Sequence, residues 1–175
     1  MYIKDFADEF GRYRAAGEKA MSQMSDEDLN HVPVGDGNSV AMIVRHICGN
    51  LVSRYTDFLT TDGEKPWRNR DGEFEDGPFT RAVVNEAWAT GFATLERELA
   101  RLTDEDLTRT VTIRTGELTV HEALCRSLAH TAMHVGQIIL LAKVAAGDRW
   151  KTLSIPKGQS AQYNRDPNIE KRPVR

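Results

Sequence analysis

The chain has 175 residues, 40% of them hydrophobic and 28% charged, and a formal net charge of −3. That is the composition of one globular domain, long enough to bury a core without disulfides. No basic block stands out, so counterion release offers little drive toward nucleic acid, and no nucleic-acid partner is expected. Residues 1–10 carry acids where a signal peptide needs an unbroken apolar run. The longest apolar run, residues 138–142, is far too short to cross a bilayer, so no membrane partner is expected. Cys48 and Cys125 are too few for a disulfide framework or a four-cysteine zinc site. They read as small core residues of a reduced, cytoplasmic protein.

Four helical segments are predicted. The first covers residues 2–24, with Phe6, Phe10, Tyr13, Ala16 or Gly17, Ala20 and Met24 at helical spacing. The second starts after Ser39 as N-cap and runs to about residue 59, with a stripe of Val40, Ile43, Val44, Ile47, Leu51, Tyr55 and Phe58. Residues 60–79 form a long connection, which can travel the length of a bundle and start the next helix parallel to the last. Within it Trp67 and Phe74 are expected to pin the segment to the body, while Arg68 and Arg70 meet an anion or pair with nearby acids. The third helix starts near Thr80 and carries Val84, Trp88, Gly91, Leu95, Leu99 and Leu102, close to a heptad seam. Residues 110–114 and 116–119 alternate like a short hairpin. The fourth helix opens on a capping box from Thr119 to Glu122 and stops at Gly147.

Residues 24–29 and 102–107 echo one another and read as the closing turns of the first and third helices. They mark either two related helical hairpins or ordinary helix punctuation. The fold class is all-α, a bundle with one minor β excursion before the last helix. A single domain is expected over residues 1–165, followed by a polar, mobile tail over 166–175.

Chemistry concentrates on the histidines. His130 and His134 lie four residues apart, which stacks two imidazoles on one helix face where both can hold one metal ion. His46, in the second helix, is the third candidate. Three neutral histidines from two packed helices leave coordination positions open, as a reactive centre requires. At 100° per residue, Ser39, Met42, Asn50, Ser53 and Asp57 fall within about 40° of His46, a polar line beside the apolar stripe. Arg126, His130, His134 and Gln137 share one side of the fourth helix. Asn50, Asp57, Arg126 and Gln137 are therefore candidates to orient ligands. His31 and His121 read as surface or capping residues, and no residue stands out as a catalytic general base.

The stretches 44–51 (VRHICGNL) and 130–137 (HTAMHVGQ) resemble the DinB/YfiT-like superfamily of small metal-dependent four-helix bundles. Residues 55–71 and 154–160 are similar to one largely uncharacterised DinB-like branch of it. The resemblance implies an up-down-down-up bundle, frequent homodimers, and a divalent metal held by His46, His130 and His134. Zinc or nickel are the first candidates, with iron or manganese next. It also implies a small-molecule substrate and a low-molecular-weight thiol as cosubstrate, transferred to an electrophile as a metal-bound thiolate. Hydrolysis by a metal-activated water, or a non-catalytic metal-binding bundle, are the alternatives.

Overall fold

The computed structural model describes residues 2–33 and 35–165, so the tail expected over 166–175 lies outside the described residues. The chain is mostly helical, with a small two-stranded antiparallel sheet. Six α-helices occur among the described residues: α1 (Tyr2–Met21), α2 (Asp26–Asn30), α3 (Val40–Tyr55), α4 (Arg81–Leu99), α5 (Val120–Ala146) and α6 (Ser160–Tyr163). Strands β1 (Thr110–Ile113) and β2 (Gly116–Thr119) pair as a hairpin directly before α5.

Side-chain caps fix most of the helix starts. Ser39 Oγ accepts from Met42 N–H at the head of α3, and Thr80 Oγ1 accepts from Val83 N–H at the head of α4. Thr119 and Glu122 complete the expected capping box of α5, and Gly147, at φ 53°, ends it. The first helix stops three residues earlier than predicted. The Ser25 hydroxyl accepts from Asp28 N–H while the Asp28 carboxylate accepts from Ser25 N–H, so the chain begins a new helix there. Thr103 and Asp106 repeat this box at the short 3-10 turn Asp104–Thr108. The two echoing segments therefore open short helices; they do not close long ones. The second helix ends at Tyr55 and not near residue 59, because Asp57 takes a left-handed φ of 50°.

One core joins the four long helices. α3 packs chiefly on α4 and α1 chiefly on α5, with lesser contacts between α3 and α5 and between α1 and α4. Its centre holds Phe10, Ile47, Leu51, Phe92, Leu95, Leu124 and Ile138. Gly91 allows the close approach of α4 to α3: a Cβ there would lie 2.7 Å from the Cys48 Cβ. Cys48 is buried as expected, but Cys125 is exposed beside His121.

The long connection is tied down by polar contacts. Ser53 Oγ donates to Gly63 O at 2.7 Å, and Gly63 N–H donates to Thr112 O at 2.8 Å. The Asp62 carboxylate accepts from the backbone N–H groups of Arg114 and Thr115, which form the left-handed turn between β1 and β2. The 3-10 turn Asp71–Phe74 then lies against α3. Phe74 packs on the ring of His46, whereas Trp67 is 57% exposed.

Over its whole length α5, with the turn that follows it, is long and apolar enough to cross a membrane, although its longest unbroken apolar run is short. Core helices of folded domains share that composition, and α5 gives Leu124, Val135, Ile138 and Ala142 to the core. Its remaining apolar surface is a stripe of Met133, Leu140 and Val144, which are 56%, 62% and 69% exposed.

Candidate metal centre

His46 comes from the middle of α3 and His130 and His134 from successive turns of α5. The structure brings one ligand atom of each within 4.8 Å of the others. His130 Nε2 lies 3.1 Å from His46 Nε2 and 3.2 Å from His134 Nε2. Two nitrogens each about 2.0–2.1 Å from one cation, at a near-tetrahedral angle, stand about 3.3 Å apart. The two separations from His130 are close to that value, while the set of three ligand atoms spans up to 4.8 Å.

The far side of two rings fixes which nitrogen is free. His46 Nδ1 lies 2.9 Å from Glu73 Oε2, and His134 Nδ1 lies 2.7 Å from Gln137 Oε1. Both oxygens are acceptors, so each Nδ1 carries the proton and each Nε2 presents a lone pair inward. Converging lone pairs repel one another, and a cation between them removes that cost. Burial pushes His130 down to about 4, and the neighbouring His134 and His46 push in the same direction. Burial also lowers His134, opposed by its bond to Gln137. Both are neutral at pH 7, the state a metal ligand needs.

Glu73 is itself held. Arg68 donates to it twice, Nε to Oε1 at 2.8 Å and Nη2 to Oε2 at 2.9 Å. Burial disfavours its charge, but the bonds from His46 and Arg68 outweigh that and keep the carboxyl below its usual range. Gly49 makes room for it, since a Cβ at that position would overlap the carboxylate. Glu73 was not legible as a site residue. It sits in a short 3-10 turn inside a long loop, where no periodicity aims a side chain at a helix. A glycine on the polar flank of α3, one turn after His46, is the one trace it leaves in the sequence.

A cavity of about 200 Å³ opens beside His46 and His130. Asn50 and Arg126 line it, together with Tyr55 and Ser127. Gln137 acts instead behind His134. Asp57 is not brought to the site: it is exposed beyond the end of α3, and its carbonyl accepts from the Thr60 and Thr61 N–H groups. His31 and His121 are both exposed. A larger depression of about 650 Å³ over Met21, Ser25, Arg81 and Trp88 contains none of the three histidines.

Fold and site define a mostly helical protein with a candidate three-histidine metal site. The chain belongs to the family described as protein of unknown function (DUF1572), whose model matches residues 1–159. No curated protein and no solved structure matches it.

Proposed function

We propose that the protein is a metal-dependent enzyme that transfers a low-molecular-weight thiol to an electrophilic small molecule. The observation that carries this reading is the convergence of three inward-facing Nε2 atoms, with two of their rings, His46 and His130, in the wall of a cavity. A divalent cation bound there, zinc or nickel first and iron or manganese next, would hold the thiol deprotonated and polarise its partner.

The chain's own groups prepare that chemistry. Glu73, clamped by Arg68, fixes the ring of His46, and Gln137 fixes that of His134. Asn50 and Arg126 are placed to orient a ligand. A thiol is favoured over water as nucleophile because, among the described residues, no Asp or Glu lines the cavity to serve as general base. Glu73, which bonds His46, is already committed to it and to Arg68. The thiol must come from outside. Cys48 is buried against Gly91, with its thiol pushed up by burial, and Cys125 does not line the cavity.

The same reading places the chain in the DinB/YfiT-like superfamily, as an up-down-down-up four-helix bundle. The pairing of α1 with α5 and α3 with α4, across a long connection between α3 and α4, supports that order. It also includes a homodimer formed through the apolar stripe of α5, and a reducing cytoplasmic setting that keeps Cys48 and Cys125 free. Metal analysis after gentle purification is the first test: about one divalent ion per chain is expected, and almost none in His134→Ala. Equal retention by the variant would sink the metal reading. A panel of small thiols offered a reporter electrophile tests the reaction, whose rate should collapse on chelation and return with zinc or nickel.

A further inference from the structure

We infer that the cavity beside the histidines is an oxyanion subsite, so that the small molecule handled there carries a carboxylate or phosphate. This rests on the enzymatic reading above but uses different residues. Five arginines line the cavity: Arg54 from α3, Arg68 and Arg70 from the long connection, Arg114 from the hairpin turn and Arg126 from α5. Four separate parts of the chain thus bring arginines to the wall of a space of about 200 Å³.

The acids available do not balance them. Glu64 is shared, accepting from Arg114 Nε at 3.0 Å and Arg54 Nη1 at 3.4 Å, with Arg68 Nη1 at 4.0 Å. Glu73 takes the bidentate pair from Arg68. Arg70 reaches only the solvent-exposed Asp71, at 3.7 Å, and lies over the ring of Phe74. Arg126 makes no hydrogen bond or ion pair among the described residues. Arg54 and Arg68 are largely buried, so their charges are poorly screened, whereas Arg70, Arg114 and Arg126 reach solvent and are screened in part. Burial lowers the Arg54 guanidinium, and the charges of Arg68, Arg114 and Arg126 lower it further against the pull of Glu64.

Ser127 also lines the cavity and is nine-tenths buried, but its hydroxyl oxygen is itself enclosed and faces the Tyr55 phenol. A surplus of forked donors suits an oxyanion, because guanidinium groups match carboxylate and phosphate oxygens in pairs. A space of about 200 Å³ accommodates a small charged group. Since His46 and His130 form part of the wall, a ligand anchored by its anion presents its remainder to the candidate metal centre.

Calorimetric titration of the full chain with inorganic phosphate and with succinate tests the assignment, on zinc-loaded and on metal-stripped protein. Saturable binding of at least one anion is expected in both forms, weakening steeply with added sodium chloride. The preferred anion tells phosphate from carboxylate. Arg126→Gln should weaken it at least tenfold and Arg126→Lys by less, with metal content unchanged in both. No saturable binding of either anion, or wild-type affinity in Arg126→Gln, would overturn the subsite. Anion binding that survives in His134→Ala after the metal is lost separates the subsite from the metal reading. Metal retention without anion binding overturns only the subsite.

Discussion

At the residue scale, the centre depends on what stands behind the histidines. Gly49→Ala should show this most cleanly. Alanine in place of glycine inside a helix is worth about 1 kcal/mol in propensity, so α3 itself gains. The added Cβ, however, would lie 2.9 Å from Glu73 Cδ and closer still to its oxygen, driving the carboxylate off His46. Zinc affinity should fall about 10- to 100-fold while circular dichroism stays helical. Unchanged affinity would show that Glu73 does not support the ligand. Acid provides a second check on the metal-free chain. Folded His130 titrates near 4 and an unfolded imidazole near 6.5, so between these values the unfolded chain takes up a proton that the folded one refuses. Stability should fall as pH drops from about 6.5 to about 4, with His134 acting in the same direction. Below about 4.5, protonation of Glu73 removes the stabilisation that its depressed value represents. Urea midpoints measured at pH 7.5 and pH 5 report the first loss; equal midpoints would contradict neutral burial of these rings. The histidines were legible because helical spacing alone aligns His130 with His134. Glu73 was not, because a loop side chain has no period from which its direction follows; Arg68 was read only as meeting an anion or a nearby acid, and Glu73 is the acid it pairs with.

At the element scale, the four long helices were legible and three of their ends were not, for one physical reason. Met24, Phe58 and Leu102 continue the apolar stripes of their helices and are all buried, yet each lies past the helix end. An apolar stripe reports burial, and a chain can leave helical geometry while still feeding the core. What ended α1 and α3 was local: the reciprocal Ser25–Asp28 bonds and the left-handed turn at Asp57. The hairpin was readable from alternation. Its turn was not, since Arg114 and Thr115 both adopt positive φ without a glycine, and Asp62, some fifty positions upstream, holds them there. The seam between α3 and α4 offers a sharper test. Gly91→Ala would set a Cβ 2.8 Å from the Cys48 Cα, a backbone atom with nowhere to retreat. We expect a loss of about 1–3 kcal/mol in chemical unfolding. A stabilised variant would mean that the helices are less tightly apposed than described.

At the scale of the whole molecule, the surface of α5 is the feature without a covering. Its stripe of Met133, Leu140 and Val144 runs along the helix that also supplies two of the three histidines. If two copies meet there, Leu140→Glu combined with Val144→Glu should shift sedimentation from dimer to monomer without unfolding the chain, because both side chains lie outside the core. A monomeric wild type at micromolar concentration would remove that proposal. The connection between α3 and α4 carries a different consequence. It holds the Arg68–Glu73 clamp, so the groups that orient His46 come from a segment with little regular structure of its own. Cation uptake and ordering of that segment then share one coupling free energy, and by reciprocity each must favour the other. Zinc should therefore slow tryptic cleavage at the exposed Arg70, in proportion to site occupancy, although Arg70 does not belong to the histidine cluster. The loop would thus act as a gauge of metal loading, legible by proteolysis before any substrate is known.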